Sequence, residues 1–191
     1  MAWIKSGTTT LGSAGDELQV SGLSSNQFNI ILDHIFSSGN AVKKLNFNND
    51  GVAGSSYAYR RSPNGASDST STSTGYIDIW HNQTDDHFGL TYLFADSSEE
   101  KLLMFFMCSN GGTGAGNAPN RREVAGKEVT NDALTQVDID NDSTGDFAAD
   151  SNISAIGSDG TVSLNVQDGA IYYDTDLNKE YVLYNDTWTE I

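Results

Sequence analysis

The stretch from Gly169 to Ile191 contains three short runs with the side-chain pattern of strands, Ile171-Tyr-Tyr-Asp, Glu180-Tyr-Val-Leu-Tyr and Thr187-Trp-Thr-Glu-Ile. The links between these runs are rich in Asp and Asn, which tolerate left-handed backbone and close hairpins. Side chains alternate along a strand, so Tyr181 and Leu183 share one face and Tyr184 lies on the other. The stretch therefore predicts a three-stranded meander with apolar side chains on both faces.

A meander of this size is only marginally stable alone in water. Its exposed aromatic side chains are therefore expected to dock on the main domain or on a neighbouring subunit. Flat aromatic faces also stack on sugar rings, and Arg side chains supply hydrogen bonds to them. The predicted residues for glycan or assembly contact are Trp80, Tyr173, Tyr181, Tyr184, Trp188, Arg121 and Arg122.

The rest of the chain also has the pattern of an all-β protein. Short runs rich in β-branched and aromatic residues recur between clusters of Gly, Ser, Asn, Asp and Thr, as in antiparallel sandwiches. We predict an antiparallel, jelly-roll-like sandwich over residues 1–157, followed by a strand and the meander over 158–191. The expected strands of the main part are 3–5, 17–21, 28–36, 43–47, 56–61, 76–80, 88–94, 102–108, 122–128, 136–139, 153–156 and 162–166.

Two of these runs, 28–36 and 102–108, are apolar at both odd and even positions. They are the strongest candidates for central strands, buried on both faces or covered by a subunit contact. Cys108 ends the second run and is expected to behave as a small buried hydrophobe. Segments 62–75 and 110–120, rich in Ser, Thr, Gly and Asn, are predicted to be loops.

The charge balance restricts the kinds of partner. The 191 residues include 10 Lys and Arg against 26 Asp and Glu, for a formal net charge of −16, so nucleic acid is excluded by repulsion from phosphate. The longest apolar run is far shorter than the roughly 20 residues of a membrane-spanning helix, so no membrane insertion is expected. A single cysteine excludes an intrachain disulfide.

The segment Asp138-Ile-Asp-Asn-Asp-Ser-Thr-Gly-Asp146 is the best candidate for metal binding, because closely spaced carboxylates are typical calcium ligands. The pattern departs from an EF-hand loop, since its glycine comes late and Ala149 stands where that loop has Glu. The alternative is an exposed strand that runs into an Asx-rich turn. The predicted calcium ligands are Asp138, Asp140, Asp142 and Asp146.

The sequence contains no nucleophile elbow, phosphate-binding loop or dinucleotide fingerprint, so we predict that the protein is not an enzyme. Adjacent carboxylates such as Asp85 and Asp86 would face opposite ways on a strand. A glycosidase needs two acids that flank one bond. A polysaccharide depolymerase is therefore the least favoured function.

The last stretch resembles a terminal module of phage tail-fibre proteins, which runs Gly, Tyr-Tyr-Asp-Thr, a polar turn, Tyr-x-x-Tyr and Trp. The matching residues are Gly169, Tyr172, Tyr173, Asp174, Thr175, Tyr181, Tyr184 and Trp188. The main part resembles a domain that recurs in marine phage virion proteins. The segments that carry this second likeness are Trp3 to Asp16, Phe47 to Asp50, Tyr57 to Arg60 and Gly114 to Glu123.

These resemblances imply a bacteriophage virion structural protein, used for capsid decoration or as a tail appendage. Such a subunit would be made in the host cytoplasm and incorporated into the particle, where it assembles with copies of itself and with other virion proteins. A trimer is the oligomer that the resemblance favours, and contact with the host surface is a further implication. The alternative is a carbohydrate-binding lectin for host recognition, for which the aromatic residues named above would stack on sugars.

Overall fold

The computed structural model describes residues 3–24, 26–37, 39–50, 54–158, 169–184 and 187–191, with the backbone alone for residues 80–83. The chain divides into two compact units, whose described parts are residues 3–158 and 169–191. Within these ranges the structure consists of strands, turns and loops, without a helix. Accordingly, the described residues contain no helix of the length and apolarity needed to cross a membrane.

In its described part, the larger unit is built from two antiparallel sheets. Its strands are β1 (Ile4–Thr10), β2 (Glu17–Ser21), β3 (Phe28–Ile35), β4 (Ala41–Phe47), β5 (Tyr57–Pro63), β6 (Ser69–Thr74), β7 (Ile77–Gln83), β8 (His87–Phe94), β9 (Lys101–Ser109), β10 (Asn120–Glu128), β11 (Gln136–Asn141) and β12 (Asn152–Ser158). The larger sheet has the order β1-β12-β3-β8-β9-β10-β5-β6, and the smaller has the order β2-β11-β4-β7. The predicted all-β antiparallel sandwich is confirmed, while its jelly-roll connectivity stays a prediction.

The hydrophobic core lies between the two sheets. The smaller sheet contributes Phe47 and Ile139, and the larger sheet contributes Ile31 and Phe105, all without exposed surface. Full burial of one such side chain stabilises the fold by about 1.5 to 3 kcal/mol. The sheets approach closely at Gly126, where an added Cβ would lie 2.6 Å from Ile77 Cδ1. A side chain at that position would push the sheets apart.

One predicted loop contains a strand that the sequence pattern did not indicate. Segment 62–75 was expected to be an exposed excursion, but β6 pairs with β5 through Arg60–Thr70 and Arg61–Ser69 contacts at the edge of the larger sheet. Its Ser and Thr side chains are exposed or half-buried, so no alternation of apolar residues marks this strand. The predicted loop 110–120 is confirmed up to residue 119, and the predicted strand 162–166 lies outside the described residues.

The C-terminal unit is the predicted meander, and this prediction is confirmed. Strands β13 (Ile171–Asp174), β14 (Lys179–Tyr184) and β15 (Thr187–Glu190) pair antiparallel in chain order. The first turn is stabilised by Asp174, whose Oδ1 accepts hydrogen bonds from the backbone N–H groups of Asp176 and Leu177, both at 3.0 Å. Asn178 then adopts a positive φ of 53°, which asparagine tolerates.

Candidate assembly face and aromatic cleft

The outer surface of the larger sheet carries large apolar side chains. Burial alternates strictly along β8 and β9, so each strand turns one set of side chains to the core and the other set outward. The outward side chains of β3, β8, β9 and β12 form a surface that we call the apolar face. Seven of them are between 37 and 52 % exposed, namely Leu32, Phe88, Tyr92, Leu102, Met104, Phe106 and Ile156.

The strand register makes this face continuous. Tyr92 lies opposite Met104, and Leu90 links Leu32 on one side to Phe106 on the other. The rings of Tyr92 and Phe106 meet edge to face at 6.4 Å. The apolar side chains therefore touch across neighbouring strands and form one patch.

Charged side chains surround the apolar face without entering it. The outward positions of β3, β8, β9 and β12 contain no Asp, Glu, Lys or Arg, although the chain has 26 acidic residues. The flanking strands carry Lys5 on β1, and Arg121, Glu123 and Lys127 on β10, at outward positions. An apolar centre with a charged rim is the usual anatomy of a protein interface.

The size of the apolar face matches that of an interface. A fully exposed side chain of this size has an accessible surface of about 200 Å². From their exposed fractions, the seven residues together expose on the order of 600 Å² of apolar surface. The largest apolar patch of a typical monomer is about 300 to 600 Å². A standard interface buries about 800 Å² on each partner. The half-buried Phe28, Ile30, Leu90 and Phe94 extend the same face toward that size.

Cys108 lies on the apolar face, opposite Phe88 of β8, and is exposed. The expectation that it is a buried hydrophobe is wrong, because the outward positions of β9 face away from the core. The apolar runs 28–36 and 102–108 were predicted to be buried on both faces or to be covered by a subunit contact. Burial of both faces within the chain is therefore also wrong. A subunit contact on the outer side stays a prediction.

The inner side of the same strands holds a buried histidine–carboxylate pair that sequence analysis did not single out. His87 Nε2 lies 2.6 Å from Asp33 Oδ2, and neither side chain has exposed surface. Burial lowers the pKa of His87 despite the neighbouring carboxylate. Burial likewise lowers the pKa of Lys43 to about 8, although Asp33 and two other carboxylates lie nearby. The His87–Asp33 contact joins β3 and β8, the two strands at the centre of the apolar face.

The neighbouring residues Arg121 and Arg122, both predicted as contact residues, have different environments. Arg122 is 6 % exposed and donates to Asp78 Oδ1 at 2.9 Å, and Arg61 also pairs with Asp78. Arg122 is therefore a core ion-pair residue, which corrects its prediction as a surface contact. The reason is strand alternation, because Arg121 is turned to solvent, 3.5 Å from Glu123.

Three of the four carboxylates predicted to bind calcium are paired with nitrogen donors of the protein. Asp138 accepts hydrogen bonds from the backbone N–H of Asn49 at 3.0 Å and from Gln136 at 2.9 Å. Asp140 accepts from the Asn46 amide at 2.5 Å, and Asp142 pairs with Lys44. Together with Asp146, these carboxylates do not form a group that could hold a metal ion. The described residues contain no other group of three or more His, Cys, Asp or Glu side chains that could do so. The predicted calcium loop is corrected, since strand β11 takes up its first residues, 138–141, and pairs them with the neighbouring strands.

We expect Asp138→Asn to stabilise the protein at neutral pH. Burial raises the pKa of Asp138 to about 6, from an ordinary value of 3.8. The stability that this group contributes is therefore fully present below pH 3.8 and is lost as the pH rises through about 6. At pH 7 the variant should gain about 1 to 3 kcal/mol in free energy of unfolding.

Urea unfolding of both proteins at pH 7 and at pH 3, below the ordinary pKa of 3.8, measures this effect. The gain should shrink toward zero at the lower pH, where the wild-type carboxyl is protonated in both states. An equal gain in free energy of unfolding at both pH values would contradict this explanation, because the gain would then not depend on the titration of Asp138.

The C-terminal meander forms an aromatic cleft of ≈ 690 Å³. Its lining residues are Ile171, Tyr172, Tyr173, Asp174, Tyr181 and Trp188. The Tyr172 and Tyr181 rings are nearly parallel at 6.0 Å, and the Trp188 indole stands across Tyr172 at 5.8 Å. Tyr172 is opposite Tyr181 in the strand register, and Leu183 is opposite Trp188, so these side chains share a face.

The structure thus divides the predicted aromatic contact residues. Tyr181 and Trp188 lie together on the face that carries Tyr172. Tyr172 was not among the predicted contact residues, although strand alternation and the hairpin pairing with Tyr181 would have identified it. Tyr173 pairs with Glu180 and Tyr184 pairs with Thr187, so both belong to the opposite face, although Tyr173 also borders the cleft. The side chain of Trp80 lies outside the described residues.

Comparison with known proteins gives no match to a family model, to a curated protein sequence or to a solved structure.

Proposed function

We propose that this protein is a structural subunit of a bacteriophage particle, a capsid-decoration or tail-appendage protein whose copies assemble through the apolar face. The observation that carries the assembly is the patch of about 600 Å² without a charged residue, on a chain of net charge −16. The virion setting is supported by the motifs of the main part and of the meander. Contacts with other virion proteins and with the host surface belong to this proposal.

A second copy of the chain is the occupant that best fits the apolar face. The outward positions of the central strands are uncharged, so two copies meet there without bringing like charges into direct contact. The charged rim contains both signs, Lys5, Arg121 and Lys127 with Glu123, which pair across a symmetric contact. A trimer is the assembly that the tail-fibre resemblance favours, and the measured mass distinguishes it from a dimer.

The test is the mass of the purified full chain by sedimentation and light scattering over a range of concentrations. We expect an oligomer at micromolar concentration and a monomer for the variant Tyr92→Glu/Met104→Glu, with self-association weakened by about 100-fold or more. The matched control is Ala66→Glu/Ser97→Glu, which adds the same charge at exposed turn positions outside the apolar face. It should assemble like the wild type.

Cys108 supplies an independent measurement, since it is the only cysteine and lies on the apolar face. A thiol reagent should modify it more slowly in the assembled wild type than in the monomeric variant. A wild type that stays monomeric at high concentration, with Cys108 as reactive as in an unfolded control, would refute assembly through this face. Imaging of particles that contain a labelled subunit tests the virion setting separately.

A further inference from the structure

We propose that the aromatic cleft of the C-terminal meander binds a quaternary ammonium group, of the kind that choline carries. This inference does not depend on assembly through the apolar face. It rests on the ring arrangement, on the charge of the cleft and on two polar groups of its lining, Asp174 Oδ1 and the Tyr173 hydroxyl, that already form hydrogen bonds within the meander.

The rings present aromatic surface to the cleft in two orientations. Tyr172 and Tyr181 are nearly parallel, with an interplanar angle of 26°, whereas Trp188 is turned by 65° from Tyr172. Tyr172 and Trp188 keep 49 % and 41 % of their surface exposed. Aromatic rings that border one space from different directions attract an organic cation through their negative faces.

The charges on this face also favour a cation. Asp174 lines the cleft, and its negative charge is the main cause that raises the pKa of the Tyr172 hydroxyl. Lys179 is opposite Asp174 and pairs with Glu190 at 2.6 Å, so one lysine and two carboxylates leave this group with one net negative charge. The net charge of −16 for the whole chain adds to the attraction.

Two other ligand classes fit less well. A metal ion such as calcium needs six to eight oxygen ligands, and the described lining offers one carboxylate. A sugar needs several hydrogen-bonding groups, but Asp174 Oδ1 already accepts two backbone hydrogen bonds and the Tyr173 hydroxyl already bonds Asn178. A quaternary ammonium carries no hydrogen-bond donor on nitrogen, so aromatic faces and a nearby negative charge are sufficient.

The experiment is a titration of the full chain with choline chloride at constant ionic strength, followed by NMR of the aromatic ring signals. We expect saturable shifts with a dissociation constant on the order of 1 to 10 mM, as for an exposed cation–π site. Tyr172→Leu removes a ring but keeps an apolar side chain, and should weaken binding by about 3-fold or more. Asp174→Asn keeps the Oδ1 acceptor of the turn and removes the charge, and should weaken binding by about 3-fold.

The matched control is Tyr184→Leu, which removes a tyrosine ring from the opposite face of the meander and should leave the affinity unchanged. The neutral carbon isostere of choline should bind much more weakly than choline itself. Equal binding of that isostere, or saturable binding of a neutral monosaccharide with no response to choline, would overturn the proposal. The monomeric variant Tyr92→Glu/Met104→Glu should bind choline normally, which separates this result from the outcome for assembly.

Discussion

Replacing Lys101 with methionine is expected to lower the free energy of unfolding by about 3 to 5 kcal/mol. Lys101 Nζ lies 2.9 Å from Glu128 Oε2, and neither side chain has exposed surface. Burial raises the pKa of Glu128 even with the lysine present. Without the lysine, the carboxylate would remain in the core with its main counter-charge removed. The loss is measured by urea unfolding at one protein concentration, because assembly makes stability depend on concentration.

The double variant Lys101→Met/Glu128→Met separates the cost of a stranded charge from the loss of packing. It should recover more than half of the lost stability, because both charges are then replaced by apolar groups of similar length. In the single variant the deficit should also shrink as the pH falls. A group with a raised pKa contributes stability that is present at low pH and is lost as the pH rises through that pKa. A double variant as unstable as the single one would contradict this account.

Gly89→Ala is expected to destabilise the protein by about 2 to 4 kcal/mol. A Cβ at this position would lie 2.6 Å from Asp33 Oδ2, 2.7 Å from its Cγ and closer still to Oδ1. Asp33 is fully buried and bound to His87, so it cannot turn into solvent to make room. The added methyl group therefore must displace a buried carboxylate from its imidazole partner.

The matched control for this substitution is Gly116→Ala in the loop between β9 and β10, where an added Cβ meets no described atom within 4 Å. It should change the free energy of unfolding by less than about 0.5 kcal/mol. Both variants are compared by thermal and urea unfolding. If Gly89→Ala were as stable as the control, the close packing of Asp33 on the β8 backbone would be refuted.

Both predictions concern an unusual distribution of polarity across the larger sheet. Its core side holds pairs of titratable side chains, Asp33 with His87 and Lys101 with Glu128, each without exposed surface. Its outer side holds the exposed apolar side chains of the same central strands. Buried charges weaken a core unless they are paired, and exposed apolar groups favour association. This distribution is what we expect of a subunit whose larger sheet is covered on both sides in its assembled state.

The sequence by itself indicated where the strands of the described part lie, apart from β6 and the second half of β1, because apolar and aromatic side chains alternate in short runs between turn-forming residues. It also determined the two faces of the meander, since hairpin partners are close in the chain and alternation then fixes which side chains meet. The prediction that nucleic acid is not a partner followed from charge alone. These features depend on local pattern or on composition.

Only the tertiary structure decided which side of the central strands faces the core. In β9 both sets of positions are apolar, Leu103 and Phe105 on one side and Leu102 and Phe106 on the other, so the sequence pattern is the same for either choice. The choice is made by non-local pairing, which places β9 between β8 and β10 and lays the smaller sheet over one side. The same pairing buries Arg122 on Asp78 and Asp33 on His87, contacts between residues 44 and 54 positions apart in the chain.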